Sequence, residues 1–210
     1  MIDIAQRDMD VPLSSRGEEQ ATALARWFAD QPEGGRPTHV ISSPYVRACQ
    51  TAELVAVHLD IEVDERLRER EFGILDRLTR AGIAERYPEQ AAARAFLGKF
   101  YHRPPGGESW ADVALRLRSL LDSMGRQYAG ERVLVVSHQV VILVFRYLLE
   151  RLSEQELLAI DKAEDMANCS LSVFELEGEA MVLRRWNDVS PLVRLDADVT
   201  TEPDARVAPR

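Results

Sequence analysis

The chain has 210 residues, 46% of them apolar and 29% charged, a composition that is ordinary for a single globular domain. Its net charge of -9 and pI near 5.0 argue against a nucleic-acid or anionic-membrane surface, because a summed negative potential repels polyanions. No apolar run is long enough to predict a membrane span and no signal-peptide pattern follows Met1, so the expected location is the cytoplasm. A phosphate-sized ligand would therefore need a local positive cluster.

The first elements are marked by helix-start signals. Ser15 and Glu18 form a capping-box pattern ahead of an amphipathic stretch, which predicts a helix ending near "QPEGG". "THVISSP" then reads as a short strand. Ser43 as N-cap with Pro44 at the first helical position predicts a second helix, extending to about Leu59.

The rest of the chain alternates in the same way. Ser109 with Asp112 predicts the start of a long helix, and "VLVVS" is typical of a buried strand. The other predicted elements are helices over 79–87, after Pro88, over 139–150 and from Ser153, and a hairpin formed by "CSLSVFELEG" and "AMVLRRWND". Alternating strands and helices predict an α/β layered domain with a mainly parallel sheet. We expect one domain over residues 1–195 and a disordered tail over 196–210.

Two predicted strand ends carry polar residues that could form a site. Ligands of such sheets bind at the carboxyl ends of the strands, where Ser43 follows one strand and His138 follows another. Arg47 lies in the first turn of the next helix, where free N–H groups and an arginine fork favour an anion. The alternatives are a core histidine with its hydrogen bonds satisfied, and a solvated arginine in an intrahelical ion pair.

Two further segments are weaker candidates. In "RLRERE", Glu69 is flanked by arginines and could stay ionised or donate a proton, although such a run is usually a solvated surface. The loop "PPGGES" could cradle an anion with backbone N–H groups. Neither Cys49 nor Cys169 has metal-like spacing, and no cluster of histidines and carboxylates does, so we expect no metal.

Taken in order, five segments resemble the histidine phosphatase superfamily, which has the phosphoglycerate mutase-like fold. They are "DMDVPLSSRGEEQATALA", "SSPYVRACQTAELVA", "LREREFG", "RPPGGESWADVALRLRSLL" and "VLVVSHQVVI", and they extend from about Asp8 to at least Tyr147. The resemblance implies a three-layer α/β/α sandwich with a mainly parallel sheet. It also implies that Arg47 binds the phosphoryl group, that Glu69 donates a proton to the leaving group, and that His138 hydrogen-bonds the phosphoryl oxygens.

The resemblance further implies a phosphomonoester hydrolase that acts on a small phosphorylated metabolite without metal or organic cofactor, and a possible homodimer. Mutase activity is the second choice, because the arginine-rich substrate segment of the mutases has no obvious equivalent. A glutamine after His138 is similar to the fructose-2,6-bisphosphatase branch. That branch carries an arginine where this chain has Leu143, which disfavours a sugar bisphosphate substrate.

One hallmark of the family does not occur in the sequence. Its Arg-His-Gly tripeptide supplies the nucleophilic histidine at the end of the first strand, and none of the four histidines of this chain has that context. We therefore expect the natural protein to begin upstream and this fold to lack its first strand. In the family that strand is expected mid-sheet, between neighbours that include the "HVIS" and "VLVVS" strands. The alternatives are a non-catalytic relative that binds phosphorylated ligands, and an interaction domain with a vestigial pocket.

Overall fold

A computed structural model describes residues 7–201. Its helices are α1 (Ser15–Ala29), α2 (Val46–Val55), α3 (Arg80–Arg86), α4 (Pro88–Tyr101), α5 (Trp110–Gln127), α6 (Gln139–Leu149), α7 (Glu154–Ala163) and α8 (Ser190–Val193). Its strands are β1 (His39–Ser42), β2 (Ile61–Val63), β3 (Val133–Val136), β4 (Leu171–Glu177) and β5 (Ala180–Asp188). No helix within these residues combines the length and apolarity needed to cross a bilayer.

The strands form a parallel three-stranded sheet in the order β2-β1-β3 and an antiparallel hairpin of β4 and β5. The predicted α/β fold with a parallel sheet is thus confirmed, and so is the hairpin. β2 was not predicted, because a three-residue strand with two exposed positions gives no periodic signal.

The expectation of a further strand between "HVIS" and "VLVVS" was wrong. β1 pairs directly with β3 over its full length, from His39 opposite Val133 to Ser42 opposite Val136. The backbone groups that β1 turns toward β3 are used in this pairing, so no strand fits between the two. Within residues 7–201, no strand pairs with the other edge of β3.

Helices cover both faces of the sheet. Val40 and Ile41 are almost completely buried, and as neighbours on one strand they point to opposite faces. Ile41 belongs to the main core with residues of α5 and α6, whereas Val40 packs with Ala52 of α2. This arrangement gives the three layers that the resemblance implied.

Two of the predicted helix starts are confirmed as expected, and two are displaced. The capping boxes at Ser109 and Ser153 are both formed. At α1 the N-cap is Ser14, whose hydroxyl accepts from the N–H of Gly17, rather than the predicted Ser15. α2 begins at Val46 instead of Pro44, because the backbone of Tyr45 is extended, with a ψ of 135°.

The start of the predicted tail is ordered. The buried amide of Gln20 in α1 donates to the carbonyl of Asp198, at 2.6 Å, and to the hydroxyl of Thr200. The N–H of Asn168 donates to the carbonyl of Thr200. The prediction of disorder was therefore wrong for residues 196–201, and the remainder, 202–210, lies outside the described residues.

Candidate functional site

The candidate site lies at the carboxyl ends of β1 and β3, where the parallel register brings two polar residues together. Ser43 follows β1 and His138 lies two residues beyond β3 as the N-cap of α6. The Oγ of Ser43 is 2.8 Å from the Nε2 of His138, and both side chains are buried. The sequence predicted both strand ends, but not the hydrogen bond that joins them.

His138 is an uncharged imidazole near neutral pH. Burial, reinforced by the positive charges of Arg47 and Arg116, lowers its pKa to about 3. A neutral ring has one N–H donor and one acceptor nitrogen. His138 can therefore hydrogen-bond an oxyanion while Ser43 holds the ring in place.

Tyr45 connects His138 with Arg47. Its ring centroid is 4.7 Å from that of His138, and the Arg47 guanidinium carbon lies 4.9 Å from the Tyr45 ring. Tyr45 is buried, and burial is the largest cause of its raised pKa. No local pattern predicts this role, because Tyr45 lies in the short extended segment between Pro44 and the start of α2.

Arg47 grips a carboxylate with its guanidinium fork. Its Nη1 and Nη2 each lie 3.2 Å from an oxygen of Asp8, and Nη1 also donates to the Asp8 carbonyl at 2.7 Å. The intrahelical ion pair considered from the sequence is thus wrong, because the partner lies outside α2. Two oxygens on one fork is also the geometry with which arginine binds a phosphoryl group.

Glu69 lies beside the start of α6. Its Oε1 accepts from the N–H of Arg70 at 2.8 Å, and its Oε2 faces the N–H of Val140 at 3.4 Å. Val140 is two residues after His138, so the structure brings Glu69 close to the histidine end of β3. The positive end of the α6 dipole favours a carboxylate at this position.

The arginines around Glu69 are not simply a solvated charge run. Arg70 is 4% exposed and donates to the carbonyl of Glu108 at 2.7 Å. Burial, reinforced by the charge of Arg94, lowers the pKa of Arg70 to about 10. Arg70 is therefore a buried residue that ties the Glu69 segment to the loop containing Glu108.

Arg116, which was not predicted, supports the Glu69 segment from α5. Its guanidinium donates to the carbonyls of Arg66, at 2.5 Å, and Glu69, at 3.4 Å, and pairs with the carboxylate of Glu108 at 2.9 Å. Arg116 lies next to the buried stripe of α5, between Val113 and Leu117 in the helical repeat. The one feature of the sequence that could have drawn attention to Arg116 is its position at the edge of the apolar stripe of α5.

The glycine-rich loop has a different function from the anion cradle considered from the sequence. The N–H groups of Gly107 and Glu108 donate to the carbonyls of Pro104 and Glu71. A Cβ on Gly107 would lie 2.6 Å from the Glu71 oxygen. The glycine therefore permits close packing of this loop on the Glu69 segment.

Fold and site together define an α/β domain with an anion-gripping arginine, a buried neutral histidine and a carboxylate at one sheet edge. The family model of the histidine phosphatase superfamily (branch 1) matches residues 2–189. The chain belongs to this superfamily, which consists mainly of phosphatases and mutases.

Three individual proteins extend the comparison. A Caenorhabditis elegans 6-phosphofructo-2-kinase/fructose-2,6-bisphosphatase is 36% identical over 191 residues, which cover 87% of this chain and 40% of that protein. Phosphoglycerate mutase-like protein 4 of Arabidopsis thaliana is 32% identical, over 89% of this chain and 79% of its own length. The structure of a mycobacterial glucosyl-3-phosphoglycerate phosphatase with inorganic phosphate has a TM-score of 0.75 at 28% identity, covering 90% of this chain and 94% of that chain.

Proposed function

We propose that this chain carries the phosphoryl-binding and proton-donating residues of a phosphomonoester hydrolase of the histidine phosphatase type. Its substrate would be a small phosphorylated metabolite, and the reaction would pass through a phosphohistidine intermediate. The observation that carries the proposal is the fork of Arg47, which holds both carboxylate oxygens of Asp8. Only the ring of Tyr45 lies between this fork and the buried His138. Inorganic phosphate bound to the mycobacterial phosphatase supports the same ligand chemistry.

Each residue has a role in phosphoryl transfer that its surroundings support. Arg47 would neutralise the equatorial oxygens, and a phosphoryl group would replace the carboxylate of Asp8 on the fork. His138, neutral and held by Ser43, would donate a hydrogen bond to the same group. Glu69 would protonate the leaving oxygen.

The nucleophile would come from a strand outside residues 7–201 that pairs with the open edge of β3. The histidines of this chain are His39, His58, His102 and His138. None of the first three fits the role, since His39 begins β1 at the opposite end, His58 is exposed and His102 is buried elsewhere. A strand on the edge of β3 would end beside Ser137 and His138.

Because none of the four histidines fits the role of nucleophile, a second candidate function for this chain alone is a protein that binds phosphate esters without hydrolysing them. Hydrolysis remains our first choice over mutase activity. Two of the similar proteins are phosphatases by name, a fructose-2,6-bisphosphatase and a glucosyl-3-phosphoglycerate phosphatase, and one is called mutase-like. We further propose a cytoplasmic location, supported by two free cysteines, Cys49 and Cys169.

The test is a paired assay of the chain expressed from Met1 and of a longer form that includes the upstream coding sequence. Hydrolysis of p-nitrophenyl phosphate and an acid-labile, base-stable phosphoenzyme are expected only of the longer form. In that form Arg47→Gln should lower kcat/KM by roughly a hundredfold to a thousandfold. The matched control is Arg118→Gln, which removes an exposed arginine of α5 and should retain normal turnover.

The results separate the candidates. A short form that folds, binds inorganic phosphate and does not turn over, together with an equally inactive longer form, would favour the binding protein. Near-normal turnover by the Arg47→Gln variant of an active longer form would overturn the assignment of this site.

A further inference from the structure

Tyr45 is held between the two residues that would bind the phosphoryl group. Its ring centroid lies 4.7 Å from that of His138 and 4.9 Å from the guanidinium carbon of Arg47. Its N–H donates to the hydroxyl of Ser43 at 3.3 Å, and its carbonyl accepts from the N–H of Cys49 at 3.0 Å. Both the ring and the backbone of Tyr45 are therefore fixed in place by residues of the site.

The hydroxyl of Tyr45 takes no part in these contacts. The residue is only 4% exposed, yet within residues 7–201 its hydroxyl has no hydrogen-bond partner. A tyrosine hydroxyl in a buried residue usually has a partner in the protein. A phenol that is rigidly placed and unpaired in the protein is available to a ligand.

The charges around the hydroxyl indicate which part of the site it faces. Burial is the largest cause of the raised pKa of Tyr45, and the carboxylates of Glu71, Asp8 and Glu69 are the next causes. Asp8 occupies the fork of Arg47, where the phosphoryl group would bind, and Glu69 is the proposed proton donor. The hydroxyl is therefore close to both the phosphoryl position and the proton donor. It remains protonated near neutral pH and can donate a hydrogen bond.

We propose that the Tyr45 hydroxyl donates a hydrogen bond to the ester oxygen of a bound phosphate ester, which is the oxygen that joins phosphorus to the leaving group. This inference rests on the proposed function of the site. Arg47 and His138 would bind the non-bridging oxygens, and Glu69 would use one lone pair of the ester oxygen. Tyr45 would bind the other lone pair. It does not transfer its own proton, because a phenol is a much weaker acid than a carboxyl group.

Such a donor discriminates between classes of phosphate ester. The bond from phosphorus to the ester oxygen breaks during phosphoryl transfer, and its electron pair stays on that oxygen. An aliphatic leaving group holds this charge on one oxygen, whereas p-nitrophenolate delocalises it over the ring. A hydrogen bond strengthens as its acceptor becomes charged, so Tyr45 should assist aliphatic esters most. The substrate class would then be the phosphate esters of aliphatic alcohols, including sugars.

Tyr45→Phe tests this role in the longer form, because it removes the hydroxyl and keeps the ring between His138 and Arg47. We expect kcat/KM for glycerol 3-phosphate to fall by about tenfold and kcat/KM for p-nitrophenyl phosphate by less than about threefold. The matched control is Tyr128→Phe, which removes a hydroxyl that donates to Glu62 and should change neither value. Equal losses with the two substrates, or no loss with either, would overturn the proposal.

A binding experiment separates this inference from failure of the proposed function. If the longer form does not hydrolyse phosphate esters, it is titrated calorimetrically with glycerol 3-phosphate and with the isosteric phosphonate, in which a methylene group replaces the ester oxygen. The wild-type protein should bind the ester about threefold to tenfold more tightly, at a pH where both ligands are dianions. Tyr45→Phe should bind the two equally.

Each outcome of the titration decides the role of Tyr45. A preference for the ester that disappears in Tyr45→Phe supports the inference even though the protein is not a phosphatase. Equal affinities in the wild-type protein, a preference that persists in Tyr45→Phe, or no binding of either ligand would overturn it. The comparison of the two ligands in the wild-type protein requires no variant, so it remains decisive if Tyr45→Phe does not fold.

Discussion

Acid destabilisation through His138 is the prediction that the structure specifies most fully. The imidazole is 8% exposed and its pKa is about 3 in the folded protein, against about 6.5 in an unfolded chain. Between these values the unfolded chain binds a proton that the folded protein excludes. The stabilisation is therefore complete above pH 6.5 and is lost progressively as the pH falls toward 3.

The size of the effect follows from the shift. Within this window the free energy of unfolding should fall by about 1.4 kcal/mol per pH unit from His138 alone, hence by about 3 kcal/mol from pH 6.5 to 4.5. The pKa of His102 is also lowered, so the wild-type slope contains a contribution from it in the same direction. The difference between the wild-type protein and His138→Gln isolates the His138 contribution.

Urea unfolding at several pH values between 4.5 and 7.5 measures that difference. His138→Gln should show a shallower pH dependence than the wild-type protein, whatever its stability at neutral pH. His58→Gln replaces an exposed histidine and serves as the control, with an unchanged slope. Equal slopes in wild type and His138→Gln would refute the view that His138 is buried in its neutral form.

Three further predictions concern the site and its support. Asp8→Asn should tighten inorganic phosphate binding by up to about fivefold, because the carboxylate no longer competes for the fork of Arg47, as measured by calorimetric titration. Ser43→Ala should lower the free energy of unfolding by about 1 to 3 kcal/mol, because the nitrogen it contacts is left buried without a partner, as measured by urea unfolding. Gly107→Ala should cost about 1 to 3 kcal/mol by the same assay, because its Cβ would overlap a carbonyl oxygen.

Each of these has a matched control. Asp10→Asn removes a nearby carboxylate that pairs with Arg7 and should not change phosphate affinity. Ser42→Ala removes a buried hydroxyl that donates to the Ser43 carbonyl and does not contact His138. The NMR signals of the His138 ring should therefore stay in place in Ser42→Ala and move in Ser43→Ala. Gly125→Ala, in open space on α5, should stabilise by about 0.5 to 1 kcal/mol. Loss of stability in Gly125→Ala equal to that in Gly107→Ala would contradict the close-packing argument.

The sequence predicts those features that depend on neighbouring residues. The boxes at Ser109 and Ser153 combine a hydroxyl with a carboxylate three residues later, and both form as read. Ser43 shows the limit, because its hydroxyl accepts from the nearby N–H of Tyr45 and also contacts His138. His138 is 95 residues away, so a local pattern cannot reveal the second contact.

The same limit applies to the site. Arg47, Glu69 and His138 could be singled out because each occupies a recognisable position in a motif. Asp8, which occupies the arginine fork, could not be, because its partner is fixed only by tertiary packing. Arg116 showed only the weak signal of a cation beside an apolar stripe, which does not reveal that it holds the Glu69 segment.

The hydrogen bonds of the Gln20 amide constrain the order in which the domain can fold during synthesis. Its partners, the carbonyl of Asp198 and the hydroxyl of Thr200, are separated from it by 178 and 180 residues. On a ribosome, α1 emerges long before the segment that satisfies this buried side chain. The first helix of the described structure can therefore reach its final environment only after nearly the whole domain has been synthesised.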